Sequence, residues 1–401
     1  MLTVEEAIEA ILRAVRPLET ERVEVVAALE RVLAEPIVSR REIPPWDNSS
    51  MDGYAVRAQD TATGSVELAV VGRVAAGEMP SMTVRAGQAM RIFTGAPIPE
   101  GADAVIPQED VDADGDRLKI RSTVEPGAYV RPRGEDLHIG ETVLEAGHVV
   151  GPAEVGMLAT LGFPQVRVYR RPRVAVLSTG NELADLGTEP TPWQIPNTNT
   201  YSLMAQILEA GGEPIGLGVA PDRLDAIEAR IRTAHAADAL VCSAGVSVGE
   251  MDFVKEALTR AGAELKLWRV SMRPGKPITF GSLDGRPVFG LPGNPVSAMV
   301  TFELFVRPTL RAMAGHRHLH RSRIRARALA QIPNPGHRRG YLRVTLTPDG
   351  RGGYGARLTG EQGSAILRSM VLADGLAVLA GDMVIHEGEE VEVIVLRELS
   401  A

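Results

Sequence analysis

Short apolar runs alternate with longer amphipathic segments through the middle of the chain, and this alternation restricts the fold more than any other feature of the sequence. The runs are too short for helices, whereas the longer segments repeat apolar residues at helical spacing. We predict strands at Arg173–Ser178, Ile215–Val219, Ala239–Cys242, Glu264–Val270 and Val288–Gly290, and helices at Tyr201–Ala210, Arg223–Ala234, Asp252–Ala261 and Pro295–Met313. Strands and helices that alternate in this way form βαβ units, so we predict a doubly wound parallel sheet.

The loops that follow the predicted strands are the expected place for a binding site. Ligands of such sheets bind at the carboxyl ends of the strands, where the strand order reverses. Three of these loops are rich in small and polar residues: Ser178–Glu182, Gly245–Asp252 and Leu291–Pro295. A fourth such segment, Met272–Pro277, lies between the last two. We therefore predict that these four segments together form the site.

The stretch Ala239–Asp252 indicates a strand that enters an anion-accepting turn and then a helix. Its turn consists of small residues that let a ligand approach the backbone, namely Ser243, Ala244, Gly245, Ser247 and Gly249. Backbone N–H groups at such a helix start suit a phosphate. Glu250 and Asp252 would repel a bare phosphate, so this interpretation needs a bridging cation or a basic side chain. An ordinary strand–helix loop with an acidic first turn is the alternative.

The common nucleotide-binding motifs are missing from the sequence. Lys276 is followed by Pro277 instead of Ser or Thr, so the Met272–Pro277 segment is not a P-loop. No G-x-G-x-x-G fingerprint follows a predicted strand. These absences disfavour a generic kinase or dehydrogenase.

The sequence on either side of this region predicts three further domains. Thr3 and Glu6 form a capping box for an N-terminal helix, and a second helix fits Val26–Ala34. Short strands between turn residues indicate a β domain, with runs at Val66–Val74, Met90–Phe93, Ala104–Pro107 and Arg117–Ile120. We predict an N-terminal helical and linker domain at 1–45 plus 136–172, an inserted β domain at 46–135, an α/β domain at 173–318, and a C-terminal β domain at 319–401.

Composition and charge exclude several classes of partner. The net charge of −8 argues against binding to nucleic acid or to an anionic membrane. An anionic substrate must therefore meet a local basic pocket. No uncharged stretch reaches the length of a membrane span, and Met1–Ala10 lacks the features of a signal peptide. We therefore expect a cytoplasmic protein.

The chain has one cysteine, Cys242, at the end of a predicted strand. A single cysteine excludes an intrachain disulfide and fits a reducing compartment. Its position suggests a nucleophile, but no sequence signature pairs it with a histidine. We favour the alternative, a small core residue.

The motifs in these loops, together with others along the chain, resemble those of the molybdopterin molybdenumtransferase family. This family includes MoeA, the E domain of gephyrin and the plant molybdenum insertase. The resemblance rests on eight segments in the family's order: Ser50–Ala55, Arg91–Ala96, Pro107–Glu109, Arg133–Asp136, Ser178–Glu182, Gly245–Gly249, Pro274–Pro277 and Leu291–Ser297. The resemblance covers nearly the whole chain.

The resemblance implies a reaction and an assembly. Adenylylated molybdopterin and molybdate react to give molybdenum cofactor and AMP, with Mg²⁺ involved. The resemblance also implies four domains, an α/β domain shared with MogA-type adenylyltransferases, and an elongated homodimer. A molybdopterin adenylyltransferase and cofactor-accepting apoenzymes are the protein partners it suggests.

The resemblance also assigns roles to residues. The catalytic residues would be Asp52, Thr94, Glu182, Asp252 and Lys276, and the carboxylates Asp52, Glu182 and Asp252 would bind Mg²⁺. The substrate-binding residues would be Ser178, Thr179, Gly180, Gly245, Ser247, Gly249, Arg273, Gly275, Pro292, Gly293, Asn294, Pro295 and Ser369. Arg273 and Lys276 would neutralise anions.

Each of these assignments has a structural alternative. Asp52 precedes Gly53 and fits a turn, and Thr94 fits a local turn as well. Glu182 fits the first turn of a helix, Asp252 fits an N-cap, and Ser369 fits a helix end.

The chain departs from the family pattern at several positions. Arg273 stands where the family usually has lysine, and Ala244 replaces the first of two glycines. Asn181 and Asn197 stand where the family usually has aspartate, which leaves three acidic groups for a mechanism.

Three functions fit the resemblance. Molybdenum insertion is favoured over a non-catalytic dimeric scaffold of the gephyrin type. Such a scaffold usually carries a fused domain and a long linker, and the sequence pattern predicts neither. Adenylyl transfer, as in MogA-like relatives, is disfavoured because those chains have a single short domain. We also predict that two subunits share each active site, with Asp52 and Thr94 from one chain and Glu182, Asp252 and Lys276 from the other.

Overall fold

The computed structural model describes residues 1–243 and 253–399. The chain forms two compact units. The first unit comprises Met1–Ala34, Gly147–Val155 and Pro164–Ala401, and the second comprises Glu35–Ala146 and Gly156–Phe163. The division into four domains at the boundaries given above stays a prediction. No helix among the described residues is both long enough and apolar enough to cross a membrane.

A six-stranded sheet forms the core of the second unit. Its strands are β1 (Gly53–Val56), β2 (Val66–Val74), β3 (Gln88–Ile92), β4 (Ala104–Pro107), β5 (Val111–Asp114) and β6 (Arg117–Ile120), in the order β4-β1-β3-β2-β6-β5. Four of them match the predicted strands, whereas β1 and β5 lie at segments that the sequence pattern does not mark. Alternate residues of β1 enter two apolar cores, with Tyr54 and Val56 in one and Ala55 in the other.

Two short pairings also belong to the second unit. Ile37–Val38 pairs with Thr142–Leu144, and Asn48–Ser49 pairs with Val130–Arg131. The loop that carries Asp52 follows directly after the second of these pairings.

The N-terminal segment of the first unit confirms one predicted helix and corrects another. The first helix spans Val4–Arg13, and both hydrogen bonds of the Thr3–Glu6 capping box are present. The helix predicted at Val26–Ala34 is wrong, because only a 3₁₀ turn forms at Val25–Ala28. The residues that follow instead form antiparallel bridges, Val32 with Val149 and Leu33 with Val168. Those backbone groups are therefore engaged in sheet-like pairing and cannot close helical turns.

The central sheet of the first unit has six strands. They are β7 (Arg173–Thr179), β8 (Glu213–Ala220), β9 (Ala239–Ser243), β10 (Glu264–Arg269), β11 (Pro277–Leu283) and β12 (Arg286–Leu291), in the order β8-β7-β9-β12-β11-β10. The strands β8, β7, β9 and β12 are parallel, as predicted. The chain passes from β7 to β8 on one side and then to β9 on the other, so the strand order reverses between β7 and β9.

One edge of this sheet differs from the prediction. Strand β11 pairs antiparallel with both β12 and β10, so the sheet is mixed at that edge. The sequence pattern does not mark β11, which begins at Pro277 and contains Gly281. Both residue types are depleted in strands, which explains why the signal is weak.

Helices cover both faces of the sheet, as expected for a doubly wound fold. Val174 and Val176 lie in one apolar core, whereas Ala175 and Leu177 lie in the other. The helices of the first core are Val4–Arg13, Thr198–Glu209, Pro295–Thr301 and Arg307–Met313, and those of the second core are Leu224–Thr233 and Phe253–Arg260. A π-helical segment, Phe302–Val306, joins the last two helices of the first core.

The C-terminal strands close into a small barrel. They are β13 (Arg323–Ala328), β14 (Arg339–Pro348), β15 (Tyr354–Leu358), β16 (Gly375–Leu379) and β17 (Glu390–Val395). The pairing runs β14-β15-β13-β17-β16, and β16 pairs again with β14. Ala326, Leu342 and Val393 belong to its apolar interior. A short strand, Met272–Arg273, adds to the start of β14 in parallel.

Arginines alternate along β13 and lie on its exposed face. Arg323 pairs with Glu392, and Arg325 pairs with Glu390. Arg321 differs, because it precedes the strand and lies half-buried with its Nε 3.0 Å from a carboxylate oxygen of Glu303.

Candidate functional site

A cavity of about 1040 Å³ lies within the first unit. It is lined from the carboxyl ends of β9 and β12, from the start of the helix Thr198–Glu209, and from the segment between β10 and β11. Two segments of the C-terminal part, around Arg338 and at 362–367, complete the wall. The cavity therefore lies where ligands of doubly wound sheets bind.

Eight of the residues proposed from the sequence line this cavity. They are Glu182, Arg273, Gly275, Lys276, Pro292, Gly293, Asn294 and Pro295. Gly245, Ser247, Gly249 and Asp252 lie outside the described residues, and so does the anion-accepting turn predicted there. Asp52 and Thr94 belong to the second unit.

Three proposed residues from the Ser178–Glu182 loop have other surroundings. Ser178 and Thr179 are buried, and the Ser178 hydroxyl lies 2.7 Å from the Thr200 hydroxyl. Gly180 lines a neighbouring cavity of about 640 Å³. A Cβ at Gly180 would lie 2.5 Å from a carboxylate oxygen of Glu182, so a side chain there would displace Glu182. The substrate-binding roles of these three residues stay predictions.

Glu182 does not lie in a helix. It is exposed, it precedes the short strand Leu183–Ala184, and its carbonyl accepts a hydrogen bond from the Ile195 N–H at 2.7 Å. The alternative of a first-turn helical acid is therefore wrong. Its carboxylate is the one acidic side chain on the cavity wall among the described residues.

The cavity has a positive lining. Arg273, Lys276 and Arg338 all contribute to its wall. Arg273 donates to the Pro335 carbonyl at 3.1 Å, and Arg338 donates to the Met272 carbonyl at 3.2 Å. Within the described residues, none of the three pairs with a carboxylate. These charges are therefore available to an anion.

The pairing of Met272–Arg273 with β14 explains how Arg338 reaches the cavity. Met272 pairs with Arg339 and Arg273 with Gly340, so Arg338 lies next to this short parallel ladder. Sequence reasoning missed Arg338, because no local signal marks an arginine that precedes a barrel strand as part of a distant site.

Gly275 fixes the backbone between the two proposed anion-binding residues. Its φ is +101°, and a Cβ there would lie 2.4 Å from Cγ2 of Thr301. Both the left-handed backbone and the close approach require glycine. The segment that carries Arg273 and Lys276 thereby packs directly against the helix Pro295–Thr301.

Hydrogen bonds from asparagine side chains connect separate segments of the cavity wall. Asn199 Nδ2 donates to the Ser243 hydroxyl and to the Gly293 carbonyl, both at 2.7 Å. Asn294 Nδ2 donates to the Ser364 hydroxyl at 2.9 Å. Sequence reasoning missed Asn199 and Ser364 as site residues. It assigned Ser243 to the predicted anion-accepting turn, whereas Ser243 is the last residue of β9.

Ser369 lies behind the wall and bonds to a buried arginine. Its hydroxyl accepts from Nε of Arg343 at 3.1 Å and donates to the Ile366 carbonyl at 2.7 Å. Arg343 is fully buried and also donates to the Gly363 carbonyl at 3.2 Å. Burial, together with the nearby charge of Arg273, lowers the pKa of Arg343 to about 10.

In the second unit, the proposed residues Asp52 and Thr94 are in direct contact. The backbone N–H and the hydroxyl of Thr94 both donate to Oδ1 of Asp52 at 2.8 Å. These two hydrogen bonds lower the pKa of Asp52, and the charge of Arg91 adds to the effect. Asp52 is therefore ionised at neutral pH, and its second oxygen has no hydrogen-bond donor among the described residues.

Arg91 packs beside the loop that carries Asp52 and helps to hold it in place. Its guanidinium lies 4.9 Å from the ring centre of Tyr54 and 5.1 Å from that of Phe93. It also donates to Gln108, and the Gln108 N–H donates to the Asp52 carbonyl. Three motifs that are distant in sequence thus meet at one place.

Two of the departures from the family pattern have structural roles. Asn197 is the N-cap of the helix Thr198–Glu209 and accepts from the Thr200 N–H at 3.3 Å. Asn181 and Asp222 exchange hydrogen bonds, each through its side chain and the partner's backbone N–H.

Cys242 is a core residue. It is fully buried between the sheet and its helices, and burial raises the pKa of its thiol to about 12. A thiol in this state is not a nucleophile at neutral pH, so the favoured interpretation is confirmed.

Comparison with known proteins agrees with this architecture. The sequence matches the MoeA N-terminal region (domain I and II) at residues 2–162, a probable molybdopterin binding domain at 175–312, and the MoeA C-terminal region (domain IV) at 325–396. It is 39% identical over 389 residues to a molybdopterin molybdenumtransferase of Nostoc sp.. The alignment covers 94% of this chain and 89% of the relative. The chain belongs to the molybdopterin molybdenumtransferase family.

Other members of this family show the same extent of similarity. Molybdopterin molybdenumtransferase 2 of Mycobacterium tuberculosis is 38% identical over 383 residues, which cover 93% of each chain. A crystal structure of the molybdopterin biosynthesis MoeA protein from Pyrococcus horikoshii aligns with a TM-score of 0.84 and 31% identity, over 99% of this chain and 100% of that one. The family resemblance and the fold class inferred from the sequence are both confirmed.

Proposed function

We propose that this chain inserts molybdenum into molybdopterin. In the proposed reaction, adenylylated molybdopterin and molybdate give molybdenum cofactor and AMP. The observation that carries the proposal is the cavity at the switch point of the sheet, where Arg273, Lys276 and Arg338 lack carboxylate partners among the described residues. The names of the family members support the same reaction.

The chemistry requires such a cavity. A molybdate ion and the phosphate groups of the pterin must come close together, and two like charges 4 Å apart repel by about 4 kcal/mol at an effective dielectric constant near 20. Arg273, Lys276 and Arg338 would offset this repulsion. Arginine at position 273 offers a planar group that suits bidentate contacts to an oxyanion, whereas Lys276 supplies a compact charge.

The residues present also fit Mg²⁺. This ion usually takes one or two protein carboxylates and completes its shell with phosphate oxygens and water. Glu182 on the cavity wall and Asp52 with its unpaired oxygen are suitable ligands, and Asp252 would join them. Within the described ranges, no group of three or more acidic, histidine or cysteine side chains is placed to hold a metal. Bound Mg²⁺ would neutralise the phosphates and favour AMP as a leaving group.

We further propose a homodimer whose two subunits share each active site. Asp52 and Thr94 would come from one subunit, and Glu182, Asp252 and Lys276 would come from the other. This arrangement would give a role to Asp52, an ionised carboxylate that belongs to the second unit, whereas the cavity belongs to the first.

Co-expression of two inactive variants tests the shared site. Asp52→Asn and Glu182→Gln should each be inactive as a homodimer, but a heterodimer would hold one site with neither change. Random pairing gives half heterodimers, so roughly a quarter of wild-type activity should return. Heterodimers without activity would show that both residues serve the same subunit's site.

We propose that the protein is cytoplasmic, because a chain with a single cysteine forms no intrachain disulfide and fits a reducing compartment. Protein partners would be a molybdopterin adenylyltransferase and the apoenzymes that accept the cofactor. Neither adenylyl transfer nor a scaffold role is favoured over molybdenum insertion.

The decisive experiment is release of AMP by the purified protein. Incubation with adenylylated molybdopterin, molybdate and Mg²⁺ should release AMP, and omission of molybdate or addition of EDTA should slow the release at least ~10-fold. Equal rates with and without EDTA would remove the role of the metal. Release of AMP without formation of molybdenum cofactor would overturn the proposed function.

A further inference from the structure

Asn199 is the side chain that joins the strand ends around the cavity. It lies in the first turn of the helix Thr198–Glu209, which follows β7, and it lines the cavity. Its Nδ2 group lies 2.7 Å from Oγ of Ser243 and 2.7 Å from the Gly293 carbonyl oxygen. Ser243 ends β9, and Gly293 follows β12. One amide on the helix after β7 thus connects the carboxyl ends of two neighbouring parallel strands, β9 and β12.

The chemistry of these contacts fixes the orientation of the amide. A carbonyl oxygen only accepts, so the atom of Asn199 that faces Gly293 must be the nitrogen. An amide nitrogen has two hydrogens, and the two acceptors use both of them. A side chain without two donors cannot replace Asn199 at this place.

The Gly293 contact matters because the loop after β12 forms part of the cavity wall. Pro292, Gly293, Asn294 and Pro295 all line the cavity. Reacting groups in an enzyme must be held within a fraction of an ångström, and a shift of about 1 Å can lower the rate by a factor of about 100. A loop between two prolines has few other hydrogen bonds to hold it, because proline has no N–H to donate.

We propose that Asn199 is a positioning residue for molybdenum insertion, which holds the loop after β12 and the end of β9 in place at the cavity. This inference rests on the proposed function for its kinetic consequences. Its structural part, the restraint on the loop, is independent of the reaction.

The test compares Asn199→Leu, Asn199→Asp and a matched control, Gln206→Leu. Leucine is close in shape to asparagine but donates no hydrogen bond, and aspartate keeps the shape with acceptors only. Gln206 is a buried amide of the same helix, about two turns further on, whose Nε2 donates to the Met299 carbonyl at 3.2 Å and to Glu303 at 2.9 Å. It does not belong to the cavity wall.

Hydrogen–deuterium exchange measures the restraint directly. In Asn199→Leu and Asn199→Asp, the Val296 N–H, which donates to the Ser364 carbonyl at 3.0 Å and reports on the end of the loop after β12, should exchange at least ~10-fold faster than in the wild type. In Gln206→Leu, exchange of this N–H should be unchanged, although thermal unfolding should begin at a lower temperature. Exchange of the Val296 N–H at the wild-type rate in both Asn199 variants would overturn the inference.

Steady-state kinetics then separate positioning from stability. Asn199→Leu should lose at least ~10-fold in kcat with KM changed less than threefold, and Gln206→Leu should keep both constants within twofold. Asn199→Asp should lose at least as much in kcat and should also raise KM, because it adds a negative charge to a cavity that binds anions. Equal losses in all three variants would show that Asn199 acts through stability alone. If the wild type itself releases no AMP, the proposed function fails, and the exchange experiment still decides the role of Asn199.

Discussion

Replacement of Gly275 by alanine should destabilise the protein through two separable effects. The backbone at Gly275 has a φ of +101°, where a residue with a Cβ is strained. The added Cβ would also lie 2.4 Å from Cγ2 of Thr301 and 3.2 Å from Cε of Met272. Thr301 is fully buried in a helix, and its hydroxyl bonds to the Ser297 carbonyl at 2.7 Å, so it has little freedom to move away.

The magnitude follows from these two effects. A non-glycine residue in a sparsely populated backbone region costs about 1–3 kcal/mol. Two carbon atoms normally approach to about 3.5–4.0 Å. The overlap therefore demands a shift of more than ~1 Å, and overpacking of a core costs about 1–3 kcal/mol. Gly275→Ala should therefore lower the free energy of unfolding by about 2–6 kcal/mol.

Thr301→Ser separates the two effects, because serine keeps the hydroxyl and removes the methyl group that clashes. By itself this change should cost about 1 kcal/mol, the value of one buried methyl group. In the Gly275→Ala background it should instead recover about 1–3 kcal/mol and leave the backbone strain in place. Urea denaturation of the four proteins measures the coupling free energy. Additive effects of the two changes would refute the proposed contact between Gly275 and Thr301.

Three further predictions concern charge and ionisation. Lys276→Ala should weaken molybdate binding about 10-fold at low salt but less at 0.5 M salt, where screening has already reduced the attraction. Isothermal titration at both salt concentrations measures the two affinities, and a loss independent of salt would indicate a steric role. Thr94→Val removes the hydroxyl that stabilises the Asp52 carboxylate and should raise its pKa towards the ordinary value. Because activity needs the ionised form, the acid limb of the pH–rate profile should move to higher pH, and an unchanged limb would exclude Asp52 as its source. Cys242→Ala should retain activity within twofold, and a thiol reagent should label Cys242 only after unfolding; rapid labelling of the native protein would contradict its burial.

The sequence predicts the strand ends of the central sheet because each strand is a short apolar run with a turn after it. The predicted bounds of β7, β9 and β12 differ from the observed ones by one or two residues. Since ligands bind at such strand ends, the sequence alone predicts that the loop after β12 and the Arg273–Lys276 segment belong to the site, and both line the cavity.

Local patterns do not predict contacts that depend on pairing between distant segments. Arg338 enters the cavity only because Met272–Arg273 pairs with the start of β14, more than 60 residues away. Ser364 enters it through its hydrogen bond with Asn294. The prediction of a helix at Val26–Ala34 is wrong for the same reason, because residues 32 and 33 pair with Val149 and Val168. Helical periodicity in a short segment cannot reveal a distant partner for its backbone.

The distribution of arginine partners explains how a chain of net charge −8 forms a positive cavity. On the outer face of the barrel, arginines pair with carboxylates, as Arg325 does with Glu390. At the cavity, Arg273 and Arg338 donate to backbone carbonyls instead, and the buried Arg343 behind the wall does the same. A carbonyl dipole orients a guanidinium without cancelling its charge, so these side chains are held in place and remain positive. The charge of Arg273 acts on Arg343 and contributes to its lowered pKa, and a bound oxyanion would relieve this repulsion. The binding of molybdate and phosphate should therefore stabilise this unit more than three isolated contacts would suggest.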